Sequence, residues 1–174
     1  MYRQKMIRQT KKEQRMRPLP YYRTRIFYEP YVAHARTFFS IPSDVVITIK
    51  IITSGNRMGY TQQHNDKVYI LAIHKDIDHI YALETILHEL KHIEQFVLGR
   101  LAYNDEDTTE ESVLWEGKKY ALLDVSYDVN NRAHAAMYQA YCQQPWEVEA
   151  FEMQKHCLRV FSHDPYICTP RPKI

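Results

Sequence analysis

The sequence predicts a domain of mixed helices and strands, because segments with different hydrophobic periods follow one another along the chain. Residues 45–53 and 67–73 are rich in β-branched and other apolar side chains, which is typical of strands. Between residues 76 and 99 the apolar side chains recur at three- and four-residue steps, which is the period of a helix. Pro145 suits a first helical position, and it predicts a second long helix that continues to about residue 161.

The composition is that of one soluble domain with a hydrophobic core. Of the 174 residues, 45% are hydrophobic and 25% are charged, which is ordinary for a globular protein of this size. No apolar run approaches the roughly 20 residues that a membrane span needs, and the N-terminus lacks the apolar stretch of a signal peptide. Three cysteines without metal-type spacing favour free thiols in a reducing compartment. We therefore expect a cytoplasmic protein without a membrane partner.

The first 25 residues are predicted to form a basic arm, separate from a single folded domain over residues 26–174. The arm holds nine Lys and Arg residues and one acid, so that the rest of the chain has 14 basic and 20 acidic residues. Three interpretations stay open. The arm is a solvated tail, or it binds nucleic acid or an assembly partner, or it folds across its own cleft as an inhibitory segment.

The remaining segments predict shorter elements. Pro30, at a first-turn position, begins a short helix. Gly55 and Gly59 predict turns between the two strands, and Gly117 predicts the turn of a hairpin. Residues 132–141 predict another short helix.

The predicted helix between residues 76 and 99 has two distinct faces. Asp76 and Asp78 are candidate N-caps, and Gly99 marks the C-terminal end. The apolar face comprises Ile80, Leu83, Ile86, Leu87, Leu90, Ile93 and Val97. The more polar face comprises Tyr81, Thr85, His88 and His92. A helix with this separation can bury one face while the other lines a cleft.

His88, Glu89 and His92 form an H-E-x-x-H motif on this helix. Histidines four residues apart lie one above the other on a helix face, so both imidazoles can reach one metal ion. The glutamate between them can act on a metal-bound water. A catalytic zinc site of this kind needs a third protein ligand and keeps one position open.

The motif, together with P-W-E-V-E-A at residues 145–150, resembles small gluzincin-like zinc metallopeptidases of phage or bacterial type. In that family a glutamate of the downstream helix is the third zinc ligand, and the resemblance gives this role to Glu149. Glu147 is the competing candidate. Two residues apart on a helix, the two carboxylates point about 200° apart and cannot easily share one metal. His134 and His156 are the other candidates.

The resemblance covers roughly residues 45–161 and departs from thermolysin-type enzymes, in which the third ligand follows the motif much sooner. It implies an α+β, zincin-like fold with a small mixed sheet, an active-site helix beneath it, and a C-terminal helix that supplies the third zinc ligand. It also implies that residues 67–73 form the upper rim of the cleft, where an extended substrate could pair with the strand.

The function that the resemblance implies is zinc-dependent hydrolysis of peptide bonds in a protein or in peptidoglycan. The expected cofactor is Zn²⁺, with Glu89 as the general base. Our candidate for the oxyanion stabiliser is Tyr141, with Tyr138 and His156 as alternatives.

A second hypothesis is a different class of protein: a structural component of a larger assembly, such as a phage virion, that keeps a latent or inactive zincin fold. The basic arm and the 14 tyrosines motivate it. A phage-encoded protein of either kind would be found in the host cytoplasm or in the virion.

Overall fold

The fold contains helices and two small sheets, so the expected α+β class is confirmed. The computed structural model describes residues 25–55, 57–104, 112–123 and 132–161. The helices are α1 (Arg25–Ala35), α2 (His79–Val97), α3 (Arg132–Cys142) and α4 (Pro145–Phe161), with a 3-10 turn at Arg36–Phe38. The strands are β1 (Val46–Ile52), β2 (Gly59–Asn65), β3 (Val68–His74), β4 (Leu101–Tyr103), β5 (Ser112–Trp115) and β6 (Lys118–Ala121).

The first sheet is mixed and has the strand order β1-β3-β2. β1 pairs with β3 in parallel, and β2 pairs with β3 in antiparallel orientation. The prediction that residues 67–73 form the cleft's rim is therefore wrong, although the predicted strand exists. β3 is the central strand, and its backbone groups are already paired on both sides. The strand that borders the cleft is β2.

The sequence does not predict strand β2, because the segment GYTQQHN has no alternation of apolar and polar side chains. It predicts only a turn at Gly59. In the structure Gly59 starts the strand, and a Cβ atom at this position would collide with the Thr85 side chain and the carbonyl of Ala72. Glycine thus lets the edge strand lie directly against α2. The hydroxyl of Thr61 donates a hydrogen bond of 3.1 Å to the backbone carbonyl of Glu89, which fixes this contact.

Helix α2 begins and ends where the sequence predicts. The side chain of Asp78 accepts a hydrogen bond of 2.9 Å from the backbone N–H of Ile80, as an N-cap does. Gly99 follows the helix with φ at +66°, a conformation that glycine adopts at little cost. The predicted apolar face lies in the core, except that Ile80, in the first turn, is 63% exposed. The predicted polar face lines the cleft.

The second sheet is antiparallel, in the order β4-β5-β6, and its hairpin turn at Glu116-Gly117 is where the sequence predicts it. Its apolar face packs against the start of α4 in a second small core. This core comprises Leu101, Val113, Trp115 and Trp146, with Phe96, Tyr120 and Leu122 packed against it. The second sheet and α4 therefore form the wall of the cleft opposite β2.

The remaining helices confirm the sequence predictions with one exception. α3 and α4 match the predicted ranges within about a residue. α1 begins at Arg25, so Pro30 lies inside the helix and does not start it. None of the helices in the described part of the chain is long and apolar enough to cross a membrane. The basic arm lies almost wholly outside the described residues, and so its predicted roles and the assembly hypothesis stay predictions.

Candidate metal centre

Two histidines and a glutamate converge in the floor of the cleft. The Nε2 atoms of His88 and His92 are 3.1 Å apart. One carboxylate oxygen of Glu147 is 3.1 Å from His88 Nε2, and the other is 3.3 Å from His92 Nε2. All three side chains are buried. This group, which we call the metal cluster, could hold a metal ion.

The third member of the cluster is Glu147, and the expectation that Glu149 takes this place is wrong. α4 packs against α2 with its first turn above the histidines, and Glu147 projects toward them. Glu149 points to the neighbouring side, where its carboxylate accepts hydrogen bonds of 2.7 Å from Arg100 and 2.9 Å from Gln95. Lys91 Nζ lies 3.3 Å from the same carboxylate. Two cations thus hold Glu149 away from the histidines.

Strong electrostatic coupling links the members of the cluster in the metal-free protein. Burial opposes a positive charge on His92, but the charge and hydrogen bond of Glu147 outweigh it and raise the pKa of His92 to about 9. Burial also opposes a negative charge on Glu147, but the two imidazoles hold the pKa of its carboxyl well below the usual range. The metal-free site therefore keeps a proton on imidazole beside an ionised carboxylate, and a bound cation would replace that proton.

Comparison with known proteins gives no family. No family model, curated protein or solved structure matches this chain. Its function must therefore be argued from the geometry of the site.

Glu89 lies beside the cluster and is not one of its members. Its side chain is buried and lines the same cleft. Burial raises the pKa of Tyr103, with a smaller contribution from the negative charge of Glu89, whereas at Tyr141 and His92 the charge of Glu147 contributes more than that of Glu89. Glu89 therefore lies in the same cleft as the cluster, and its role as general base stays a prediction.

Tyr141, the predicted oxyanion stabiliser, is at the cluster. Its hydroxyl is hydrogen-bonded to the Glu147 carboxylate, and burial together with this negative charge raises the pKa of the phenol above its usual range. It therefore stays protonated at neutral pH and remains a hydrogen-bond donor. Tyr138 lines the cleft one helical turn away and is exposed. His156 is exposed and does not line the cleft, and the side chain of His134 lies outside the described residues.

The cleft has a volume of about 560 Å³ and two unlike ends. The end beside the second sheet is apolar, with Leu101, Val113, Leu122, Leu123, Phe96 and Trp146 in its wall. The end beside the N-terminal half of α2 is more polar, with Tyr81, Glu84, Thr85 and Gln154. A ligand that spans the cleft would therefore meet an apolar surface on one side of the metal cluster and polar groups on the other.

Proposed function

We propose that this protein is a zinc-dependent metallopeptidase. The observation that carries the proposal is the position of Glu89, a carboxylate outside the metal cluster that faces the same cleft. A purely structural metal site is closed by its ligands and needs no such neighbour. A cluster with two imidazoles, one carboxylate and an adjacent base is the arrangement by which proteins activate water.

Zinc fits the donor set and the spacing. Three ligand atoms about 2.1 Å from a tetrahedral zinc ion stand roughly 3.4 Å apart. The two Nε2 atoms are 3.1 Å apart, and each lies 3.1 to 3.3 Å from one of the two carboxylate oxygens of Glu147, which is close to this spacing. The two imidazoles favour zinc over calcium or magnesium, which prefer oxygen ligands alone. His88, His92 and Glu147 all line the cleft, so a substrate bound there could reach a metal ion that they hold.

In this proposal the chain's own residues position the substrate and move the protons. A zinc ion supplies a Lewis acid, which polarises a carbonyl group and makes water acidic enough to lose a proton near neutral pH. Glu89 accepts that proton and returns it to the leaving amine. We assign to Tyr141 the role of oxyanion stabiliser: with Glu147 held by the metal, its hydroxyl would exchange its hydrogen bond to Glu147 for one to the carbonyl oxygen as negative charge develops there.

The apolar end of the cleft favours a peptide with a bulky hydrophobic side chain beside the cleaved bond. Leu101 and Trp146 belong to the second small core and Phe96 packs against it, so that end of the cleft is built from packed apolar side chains. A mixture of peptides incubated with the zinc-loaded protein should be cut mostly next to leucine, phenylalanine or methionine. Cleavage without any preference for such residues would contradict this part of the proposal.

The decisive experiment separates metal binding from turnover. We expect Glu89→Gln to bind zinc as tightly as the parent protein and to lose about 10²- to 10⁴-fold in kcat on an unfolded protein substrate, because the base is removed and the ligands stay. Glu152→Gln is the matched control, since Glu152 is exposed on α4 and should leave both quantities unchanged. Less than about half an equivalent of zinc in the parent, or full activity in Glu89→Gln, would refute the proposal.

A further inference from the structure

Gln95 contacts Nδ1 of His92, the ring nitrogen that does not face the other members of the metal cluster. Its amide can be oriented in only one way. The two partners of its Nε2 atom are the backbone carbonyl of Trp146 at 3.0 Å and the Glu149 carboxylate at 2.9 Å. Both partners can only accept hydrogen bonds, so the nitrogen of the amide must face them. The amide oxygen therefore faces the third neighbour, Nδ1 of His92, at 2.9 Å.

The fixed oxygen of Gln95 decides which nitrogen of His92 carries a proton when a metal is bound. An amide oxygen can only accept, so Nδ1 of His92 must be the donor. The neutral imidazole then has its lone pair on Nε2, the atom that faces His88 and Glu147. The tautomer that can ligate a cation is thus selected by a residue that does not touch the cation.

A group of ionic residues in turn holds Glu149, the partner of Gln95. We call Lys91, Glu94, Arg100, Glu116 and Glu149 the outer network. The Arg100 guanidinium lies 4.6 Å from the Trp115 ring centroid and bonds to both Glu149 and Glu116 at 2.7 Å. Glu149 therefore has two fixed cations on one side and the amide of Gln95 on the other.

We propose that Gln95 is a positioning residue of the metal centre and that Glu149, anchored by Arg100, keeps the Gln95 amide in its active orientation. The inference rests on the metal site of the proposed function, and it does not depend on which substrate is cleaved. Glu149, which the sequence suggested as a metal ligand, thus has a different role. Its carboxylate is linked to the ligand His92 through two successive hydrogen bonds, by way of Gln95.

His88 differs from His92 in the way its ring is held. Its Nδ1 atom is buried, and no described residue is hydrogen-bonded to it. The ring of His88 is held by contact with Phe151, at 4.6 Å between ring centroids. Loss of the Gln95 oxygen should therefore disturb one of the two imidazoles and leave the other in place.

The first test measures zinc affinity, by competition with a chromogenic chelator, in the full chain. Gln95→Met keeps the volume of the side chain and removes the acceptor, so the affinity should fall about 10- to 100-fold. Gln144→Met is the matched control, because Gln144 is also buried and its amide bonds to the carbonyl of Ala121, at 2.9 Å, away from His92. It should reduce thermal stability with unchanged zinc affinity. Equal zinc affinities for Gln95→Met and the parent would overturn the inference.

The second test separates positioning from simple structural support. Gln95→Glu and Gln95→Met are each made together with Glu149→Gln, so that no second carboxylate opposes the introduced one. The introduced carboxylate can still accept from His92 Nδ1 but cannot donate to Trp146, whereas the introduced thioether can do neither. We expect the Gln95→Glu double variant to bind zinc about tenfold or more tightly than the Gln95→Met double variant, and to give the parent's visible absorption spectrum with Co²⁺.

Equally weak binding by these two double variants would show that only the donor bonds of Gln95 matter, and would overturn its positioning role. A parent protein that binds no zinc at all would refute the proposed function as well. A parent that binds zinc and does not cleave peptides would refute the peptidase proposal alone. The failures of the two proposals can therefore be distinguished.

Discussion

Glu147 and Glu149 lie on the same turn of α4, yet they belong to two regions with different physical chemistry. Glu147 is 3% exposed and faces two imidazoles across a site that could hold a cation. Glu149 has a side chain that is 30% exposed and faces the permanent cations of the outer network. One carboxylate belongs to a group that could hold a metal ion, whereas the other is paired with Lys91 and Arg100.

The difference teaches that a helical position alone does not identify a metal ligand. Both glutamates satisfy the same sequence pattern, and both are acids near a helix N-terminus. What separates them is the residue type that each one meets on α2 and the second sheet. A carboxylate beside Lys91 and Arg100 gains its stabilisation from them, and it is not available to a metal.

The largest effect on zinc affinity should come from Glu147→Gln, and Glu149→Gln is the comparison. Structural zinc sites contribute about 10 to 16 kcal/mol over four ligands, so one ligand is worth roughly a hundredfold to a thousandfold in affinity. Glu147→Gln should lose that much zinc affinity, measured by chelator competition. Glu149→Gln should lose at most about tenfold, since it acts only through Gln95. A larger loss from Glu149→Gln would reverse the assignment of the two residues.

The pH dependence of the metal-free protein should show the coupling in the metal cluster. The folded-state pKa of His92 is raised from 6.5 to about 9, so its contribution to stability is complete below pH 6.5 and is lost as the pH rises to 9. This corresponds to roughly 3 kcal/mol in the free energy of unfolding. Glu147 has a lowered pKa, so its contribution is present above pH 4.5 and is lost at lower pH.

Urea unfolding of the metal-free protein at a series of pH values measures this effect. The stability should decrease between pH 6.5 and 9, and the decrease should be absent in His92→Gln. A curve that is flat over this range in the parent protein would contradict the coupling. Zinc should bind more tightly over the same range, because less work is needed to displace the proton.

Substitutions in the outer network should have a smaller effect on the free energy of unfolding. Arg100→Met removes the bonds to Glu149 and Glu116 and the contact of the guanidinium with the Trp115 ring, and it leaves an apolar side chain beside that ring. The side chains of Arg100 and Glu149 are about one-third exposed and that of Glu116 is about half exposed, so screening by water reduces the cost to about 1 kcal/mol of unfolding free energy. Thermal and urea unfolding of the zinc-free protein provide the measurement, and a loss above about 3 kcal/mol would place Arg100 in the core of the fold.

The smallest effect is expected at the outer end of the network. The side chain of Glu116 is 54% exposed in the hairpin turn. Glu116→Gln should change the unfolding free energy by less than about 0.5 kcal/mol, because an amide oxygen can still accept from Arg100. The zinc affinity should not change either, and a shift beyond measurement error would show that the turn is coupled to the metal cluster.

Local interactions explain what could be predicted from the sequence. The spacing of His88 and His92, the Asp78 cap and the Gly99 stop all depend on contacts within a few residues. They therefore appear in the sequence as fixed distances between residue types. Strand β2 has no such signal, because an edge strand next to a cleft needs no buried alternation, and only its pairing with β3 makes it a strand.

The sequence alone determined helices α2, α3 and α4, strands β1 and β3, the hairpin turn at Gly117, and two members of the metal cluster with their neighbour Glu89. Only the tertiary structure decided which strand borders the cleft and which glutamate joins the histidines. The physical reason is that the rotation of α4 about its axis is set by what packs around it. Trp146 enters the second small core, Lys91 and Arg100 attract Glu149, and Glu147 is left to face the imidazoles.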